Sequence, residues 1–101
     1  MKFEANGNAY ELKYTVNGMA DLEDVVGKPF SSIIGGSEYS SLRSAFYCGL
    51  VESMPKLTLK GAGDILNAYL SEGHDLDDAV GLIDKAIDEA GFLGAQGKKK
   101  K

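Results

Sequence analysis

The sequence is short of the residues that build disulfides, metal centres and membrane spans. It has one cysteine in 101 residues, so no disulfide can form within the chain. We therefore expect the protein to act in a reducing cytoplasm. With a single histidine, His74, it lacks the ligand set of a zinc site. No apolar run is long enough to cross a bilayer, and Met1–Glu4 lacks the apolar segment of a secretory signal. We therefore expect neither a metal nor a membrane partner.

Basic residues are scarce outside one short run. Lysine and arginine number 11 against 15 aspartates and glutamates, which gives a formal net charge of −4. Four of the lysines are Lys98–Lys101, and without them 7 basic residues face 15 acidic ones, a balance of −8. A body this acidic is unsuited to nucleic acid and suits a protein with protein partners.

The composition predicts one folded domain. Hydrophobic residues make up 44% of the chain, so we expect a globular domain over residues 1–93 and a flexible basic tail over 94–101. The order of patterns predicts an α+β fold, with an N-terminal β-hairpin packed on a small bundle of about four α-helices. Short connections between the last three helices favour antiparallel neighbours.

The hairpin is predicted from Asn6-Gly7. Both central residues of a type I′ turn need positive φ, which this pair accepts. A two-residue turn here sets Phe3 opposite Tyr10 and Lys2 opposite Glu11, whereas a turn shifted by one residue would oppose like charges. Alternation then predicts four residues on the core face: Tyr10, Leu12, Tyr14 and Val16.

Caps and apolar periodicity predict the helices. They run over 18–26, from 38 or 39 to 53, over 59–72 and over 76–90, with Asn17, Thr58 and Asp75 as caps. The second is apolar over a wide arc and is expected at the centre of the domain. Gly49 in this helix is expected to allow close helix approach. Gly61 and Gly63 in the next helix predict either fraying of its first turns or a neighbour packed close.

The one metal-like cluster is better explained as a helix cap. His74, Asp75, Asp77 and Asp78 match no calcium loop. Asp75 is placed to cap the last helix, and His74 follows Gly73 where it can lie on Tyr69.

No pattern singles out a catalytic group. Cys48 lies in the middle of the central helix, where a small buried residue is expected rather than a nucleophile. Gly61-x-Gly63 follows no strand and lacks the third glycine of a dinucleotide fingerprint. The carboxylates occupy solvated helix positions. We expect no enzyme and no cofactor.

Four apolar residues fall outside the clear helices: Phe30, Ile33, Ile34 and Leu93. One interpretation of the three in the linker, 28–37, is that they cover the end of the core. The other is that at least part of this set of four contacts a partner or a second copy of the chain.

The central stretch from Ser41 to Leu66 resembles a known family. The features that carry the resemblance are Leu42-Arg43, the small pair before Leu50, Pro55-Lys56-Leu57-Thr58 and Ala62-Gly63. They are similar to the tail assembly chaperones of long-tailed bacteriophages, in the branch that includes gene transfer agent tail proteins. Those proteins also begin with a short hairpin and a helix with a Leu-Glu pair, which is Leu22-Glu23 here, so the resemblance runs from about Tyr10 to Ile87.

The resemblance implies a non-enzymatic protein of the bacterial host cytoplasm. Members of the family coat the tape measure protein and recruit tail tube subunits, and they are generally absent from the finished particle. The implied partners are therefore the tape measure protein and the tail tube protein, with self-association also open. An alternative is a small structural subunit retained in a phage tail or baseplate. A weaker one is an acidic inhibitor of a host protein.

The lysine run has three interpretations. It is a solvated basic tail, a residue or two added to the natural chain, or the trace of ribosomal slippage. Slippage enters because the family resembled here often makes two lengths of product, and consecutive AAA codons allow re-pairing one base away. It predicts an adenine-rich stretch at Lys98–Lys101 with an overlapping frame, and reading the gene's last codons tests this.

Overall fold

The computed structural model describes residues 1–33 and 38–91, and within them it shows a two-stranded sheet and five helices. The elements are β1 (Lys2–Ala5), β2 (Asn8–Glu11), α1 (Val16–Val26), α2 (Phe30–Ile33), α3 (Tyr39–Leu50), α4 (Leu59–Ser71) and α5 (Leu76–Ala90). The α+β class, with an N-terminal hairpin on a helical bundle, is confirmed. Ile34, Leu93 and the basic tail over 94–101 lie outside the described residues.

The hairpin has the predicted register. Phe3 lies opposite Tyr10 and Lys2 opposite Glu11. Asn6 and Gly7 have φ values of 55° and 77°, as a type I′ turn requires. The hairpin packs on the bundle through Phe3, whose ring lies 5.4 Å from that of Phe46 and 5.7 Å from that of Tyr69.

The chain leaves the hairpin earlier than the alternating pattern predicts. Leu12 and Tyr14 are buried as expected, but β2 ends at Glu11, and the Lys13 N–H donates to the Gly49 carbonyl at 2.8 Å. Thr15, not Asn17, caps α1, because its hydroxyl accepts from the Gly18 N–H at 2.9 Å. Val16 is thereby the first residue of α1 and is 66% exposed instead of facing the core.

The linker predicted over 28–37 is partly helical. Its residues 30–33 form the single turn α2. This turn follows Pro29, whose carbonyl accepts from the Ser32 N–H at 2.9 Å. A turn this short has too few residues for a periodic apolar pattern, so periodicity could not predict it.

The central helix α3 is confirmed as the centre of the core, although it ends three residues before the predicted 53. Its buried residues are Leu42, Ser44, Ala45, Phe46, Tyr47, Cys48, Gly49 and Leu50. Phe46 is fully buried, and its ring lies 6.3 Å from that of Tyr69 on α4.

Gly49 does admit a close neighbour, but that neighbour is not a helix. A Cβ atom at Gly49 would lie 2.7 Å from Leu12 Cδ2 and 3.2 Å from Tyr14 Cζ, both in the segment after β2. The close helix approach is at Gly18 of α1, where a Cβ would lie 2.8 Å from the Cys48 carbonyl oxygen. Gly49 therefore positions the hairpin, and Gly18 positions α1.

The last two helices begin and end close to their predicted bounds. Thr58 caps α4, since its hydroxyl accepts from the Gly61 N–H at 3.0 Å. Asp75 caps α5 in a capping box with Asp78, and the two side chains accept reciprocal backbone N–H bonds at 2.8 and 3.0 Å. The inner face of α5 is buried through Ala79, Leu82, Ile83 and Ala86.

Candidate protein-binding surface

The metal-like cluster is a helix cap, as predicted. His74 stacks on Tyr69 with ring centroids 4.0 Å apart and planes 3° apart. Asp75 and Asp78 are engaged in the capping box, and the Asp78 carboxylate lies 3.7 Å from His74 Nδ1. Over residues 1–33 and 38–91, no group of three or more potential ligands is placed to hold a metal ion. These side chains define the turn between α4 and α5.

Cys48 is held in its neutral form. Its side chain is fully buried on α3. Burial, with a smaller contribution from the negative charge of Asp21, raises the pKa of the Cys48 thiol to about 12. A thiol with this pKa is protonated near neutral pH and is a poor nucleophile. The predicted role of a small core residue fits this environment.

Two of the four predicted partner-binding residues, Phe30 and Ile33, lie in the described part of the chain. Ile33 is 7% exposed and belongs to the core, which fits the interpretation that the linker covers the core end. Phe30 is half-buried against the core, and its N–H donates to Glu23 Oε2 at 2.6 Å. Ile34 and Leu93 lie outside the described residues. A partner contact by Phe30 stays a prediction.

A different surface, between α3 and α4, presents an open groove. Tyr39 and Arg43 are four residues apart and share one face of α3. They lie against a stripe on α4 at steps of three and four: Gly63, Leu66, Asn67 and Leu70. The space between them is about 310 Å³. We call it the α3–α4 groove. Its floor is Leu66, which is 5% exposed, and its rim is Tyr39, which is 67% exposed.

Arg43 lies on Gly63. A Cβ atom at Gly63 would be 3.1 Å from Arg43 Cδ and 3.5 Å from Cγ, so the missing side chain makes room for the arginine stem. The sequence predicts either fraying or a closely packed neighbour at Gly63, and Arg43 is that neighbour. Among the described residues, no carboxylate lies within ion-pair distance of the Arg43 guanidinium. Arg43 therefore offers an unpaired cation beside an apolar floor.

A second recess adjoins the groove and shares Arg43 and Ser40 with it. It also has a volume of about 310 Å³, and Lys28 adds a second cation to its wall. Three of its serines, Ser40, Ser41 and Ser44, come from α3, and Ser44 is only 6% exposed. Among the described residues, no carboxylate lines either space. The Glu38 carboxylate borders the recess, since it accepts a hydrogen bond from Ser41 Oγ at 3.2 Å.

Sequence reasoning missed this surface. In the sequence, Arg43 stands out only as part of the Leu42-Arg43 pair, and Tyr39 only as a possible start of the central helix. The available signals were the four-residue spacing of Tyr39 and Arg43 and a glycine in the middle of the facing helix. Neither signal indicates which helix packs against which, so the groove can be identified only from the packing of α3 on α4.

Comparisons with known proteins identify no relative. No protein family model, no curated protein and no solved structure matches this chain. Within the described residues, none of the helices has both the length and the apolar character needed to cross a membrane.

Proposed function

We propose that this chain is a non-enzymatic tail assembly chaperone of a long-tailed bacteriophage. It acts in the cytoplasm of the bacterial host, binds the tape measure protein and recruits tail tube subunits. The observation that carries the proposal is the place of the stretch that resembles this family. Ser41–Leu66 covers most of α3 and the first half of α4, so it supplies the centre of the fold and three residues of the α3–α4 groove, Arg43, Gly63 and Leu66.

The physical requirements of covering a tape measure protein before assembly support the proposal. A long, partly apolar helical partner needs its apolar side chains covered until assembly. Grooves between amphipathic helices bind such segments by accepting side chains spaced at three and four residues. The α3–α4 groove has an apolar floor and an exposed aromatic rim, which is the composition of a protein-binding surface.

Coexpression tests the proposal. The tape measure protein encoded in the same gene cluster is expressed with and without this chain, and its soluble fraction is measured. We expect soluble tape measure protein only in the presence of the chain, with the two proteins eluting together in size-exclusion chromatography. Tape measure protein that is equally soluble alone, with no coelution, would contradict the proposal.

The alternative of a structural subunit has a separate readout. Mass spectrometry of purified particles should lack this chain if it is a chaperone. Detection at a fixed stoichiometry with tail or baseplate proteins would replace the proposal with the structural alternative. The two measurements together therefore distinguish capture during assembly from retention in the particle.

A further inference from the structure

The distribution of charge around the α3–α4 groove indicates what it binds. Among the described residues, the groove and the adjoining recess are lined by Arg43 and Lys28 and by no carboxylate. Two acidic residues, Glu38 and Asp64, are next to lining residues in sequence, and neither lies within ion-pair distance of Arg43. Glu38 accepts a hydrogen bond from Ser41 Oγ at 3.2 Å, and Asp64 pairs with no cation among the described residues. Within the described part of the chain, the guanidinium therefore has no carboxylate partner.

The shape of the groove indicates a helical occupant. Its two walls are helical stripes, Tyr39 and Arg43 on one side and residues 63–70 on the other. Two helices with an open apolar seam accept a third helix, whose side chains at steps of three and four fill the seam. Tyrosine and arginine are also the side chains most enriched at the energetic centres of protein interfaces.

We propose that the α3–α4 groove binds an amphipathic helical segment of a partner protein that carries an acidic side chain among its apolar ones. The carboxylate pairs with Arg43, which can donate two parallel hydrogen bonds to it. The apolar side chains of the segment cover Leu66 and Leu70 beside the Tyr39 ring. This inference deepens the proposed function and rests on it in taking a protein segment as the occupant.

The test uses synthetic peptides and the full chain. The probe is a helical peptide of about four turns with leucines at steps of three and four and one glutamate on the same face. Two matched peptides carry glutamine or lysine in place of that glutamate. Affinity is measured by fluorescence anisotropy, and the binding site is mapped from amide chemical shifts. We expect the glutamate peptide to bind roughly tenfold more tightly than the glutamine peptide, with shifts at Tyr39, Arg43 and Leu70.

Charge reversal provides the decisive variant. Arg43→Glu should lose the preference for the glutamate peptide and gain one for the lysine peptide. Lys85→Glu is the matched control, since it changes the net charge equally from an exposed position on α5. It should leave the order of the three peptides unchanged. Equal affinities for all three peptides, or no binding by any of them, would overturn the proposal.

A pair of glycine variants tests the position of Arg43 without removing it. Gly63→Ala forces the arginine stem to move, whereas Gly81→Ala on α5 has no atom within 4 Å of the new methyl group. Both replace a helical glycine with the better helix former. We expect weaker glutamate-peptide binding for Gly63→Ala and wild-type binding for Gly81→Ala, with thermal stability retained in both. An equal change in affinity for the two variants would count against the proposal.

A second copy of the chain is the competing occupant. Sedimentation equilibrium of the wild type and of Arg43→Glu decides this point. A monomer in both cases supports the proposal, and a wild-type dimer that Arg43→Glu dissociates would overturn it. The peptide experiments use no tape measure protein. If they fail, the coexpression experiment still tests the proposed function independently.

Discussion

The two halves of α3 differ in what covers them. Residues 44–50 are all buried, whereas Tyr39 and Arg43 in the first half are exposed. The buried half meets the hairpin through Phe46, the segment after it through Gly49, and α1 through Cys48. The first half borders the open α3–α4 groove instead. One helix therefore supplies the core with one end and the candidate binding surface with the other.

This difference teaches where stability and binding can be separated. Substitutions in the buried half change packing on several sides at once, so they should act on folding. Substitutions of the exposed residues of the open half, Tyr39 and Arg43, remove contacts with solvent or with a binding partner, so they should act on binding. Variants taken from each half test this division.

The largest effect is expected from Phe46→Ala. The ring is fully buried between Phe3 and Tyr69, and its loss leaves a cavity at the centre of the domain. Truncations of this kind cost about 3–5 kcal/mol, much of the stability of a small domain. Urea denaturation followed by circular dichroism measures the change. A free energy of unfolding within error of the wild type would contradict the assignment of α3 as the core helix.

Gly49→Ala should be the next most destabilising. The new methyl group would lie 2.7 Å from Leu12 Cδ2, in a place where Tyr14 is fixed by a 2.7 Å hydrogen bond to the Ala45 carbonyl. Overpacking costs about 1–3 kcal/mol, while the gain in helix propensity returns about 1 kcal/mol. Thermal melts should therefore show a net loss. An unchanged or raised melting temperature would mean that the segment after β2 yields easily.

The buried half of α3 should also make the fold sensitive to alkaline pH. Burial raises the pKa of Cys48 to about 12 from an ordinary 9.0, and it raises the pKa of Tyr14 as well. The folded state then holds protons that the unfolded state releases, so stability is complete below pH 9 and falls as the pH rises toward 12. For each pH unit over which only the folded state keeps the Cys48 proton, the free energy of unfolding falls by about 1.4 kcal/mol.

A matched variant isolates the cysteine. Cys48→Ala should flatten the decline in the free energy of unfolding above pH 9, leaving the part due to Tyr14, Tyr47 and Tyr69, whose pKa values burial also raises. Chemical denaturation at a series of pH values measures both curves. Parallel curves for the variant and the wild type would show that the Cys48 proton is not linked to folding.

Local patterns predicted the parts of the fold that depend on neighbouring residues. Asn6-Gly7 with the Lys2–Glu11 pair predicted the hairpin register, and Asp75 predicted the start of α5. The exit from the hairpin was missed because alternation continues through Leu12 and Tyr14. There a carbonyl of α3, at Gly49, accepts the Lys13 N–H. That bond depends on a tertiary contact that no local pattern contains.

The candidate site was less predictable than the fold. Phe30 and Ile33 were selected because they are apolar outside clear helices, but a loop residue can also enter the core, as Ile33 does. The α3–α4 groove arises from residues that are ordinary in sequence. Tyr39 and Leu70 are 31 positions apart and become neighbours only when α3 packs on α4. The stretch that carries the resemblance contains Arg43, Gly63 and Leu66 of this groove, but its local pattern does not indicate which side is exposed.

The smallest effect on stability is expected from Tyr39→Ala, in the open half of α3. The side chain is 67% exposed, and substitutions at such positions usually change the free energy of unfolding by less than about 0.5 kcal/mol. Val16→Ala is a matched control, because Val16 is 66% exposed but lies on α1 and lines no part of the groove. Both variants should have the melting temperature of the wild type. Only Tyr39→Ala should weaken binding of the glutamate peptide, because only this substitution removes the aromatic rim of the groove. Equal binding by the two variants would show that the rim contributes nothing, and a large loss of stability in Tyr39→Ala would show that the open half of α3 also supports the core.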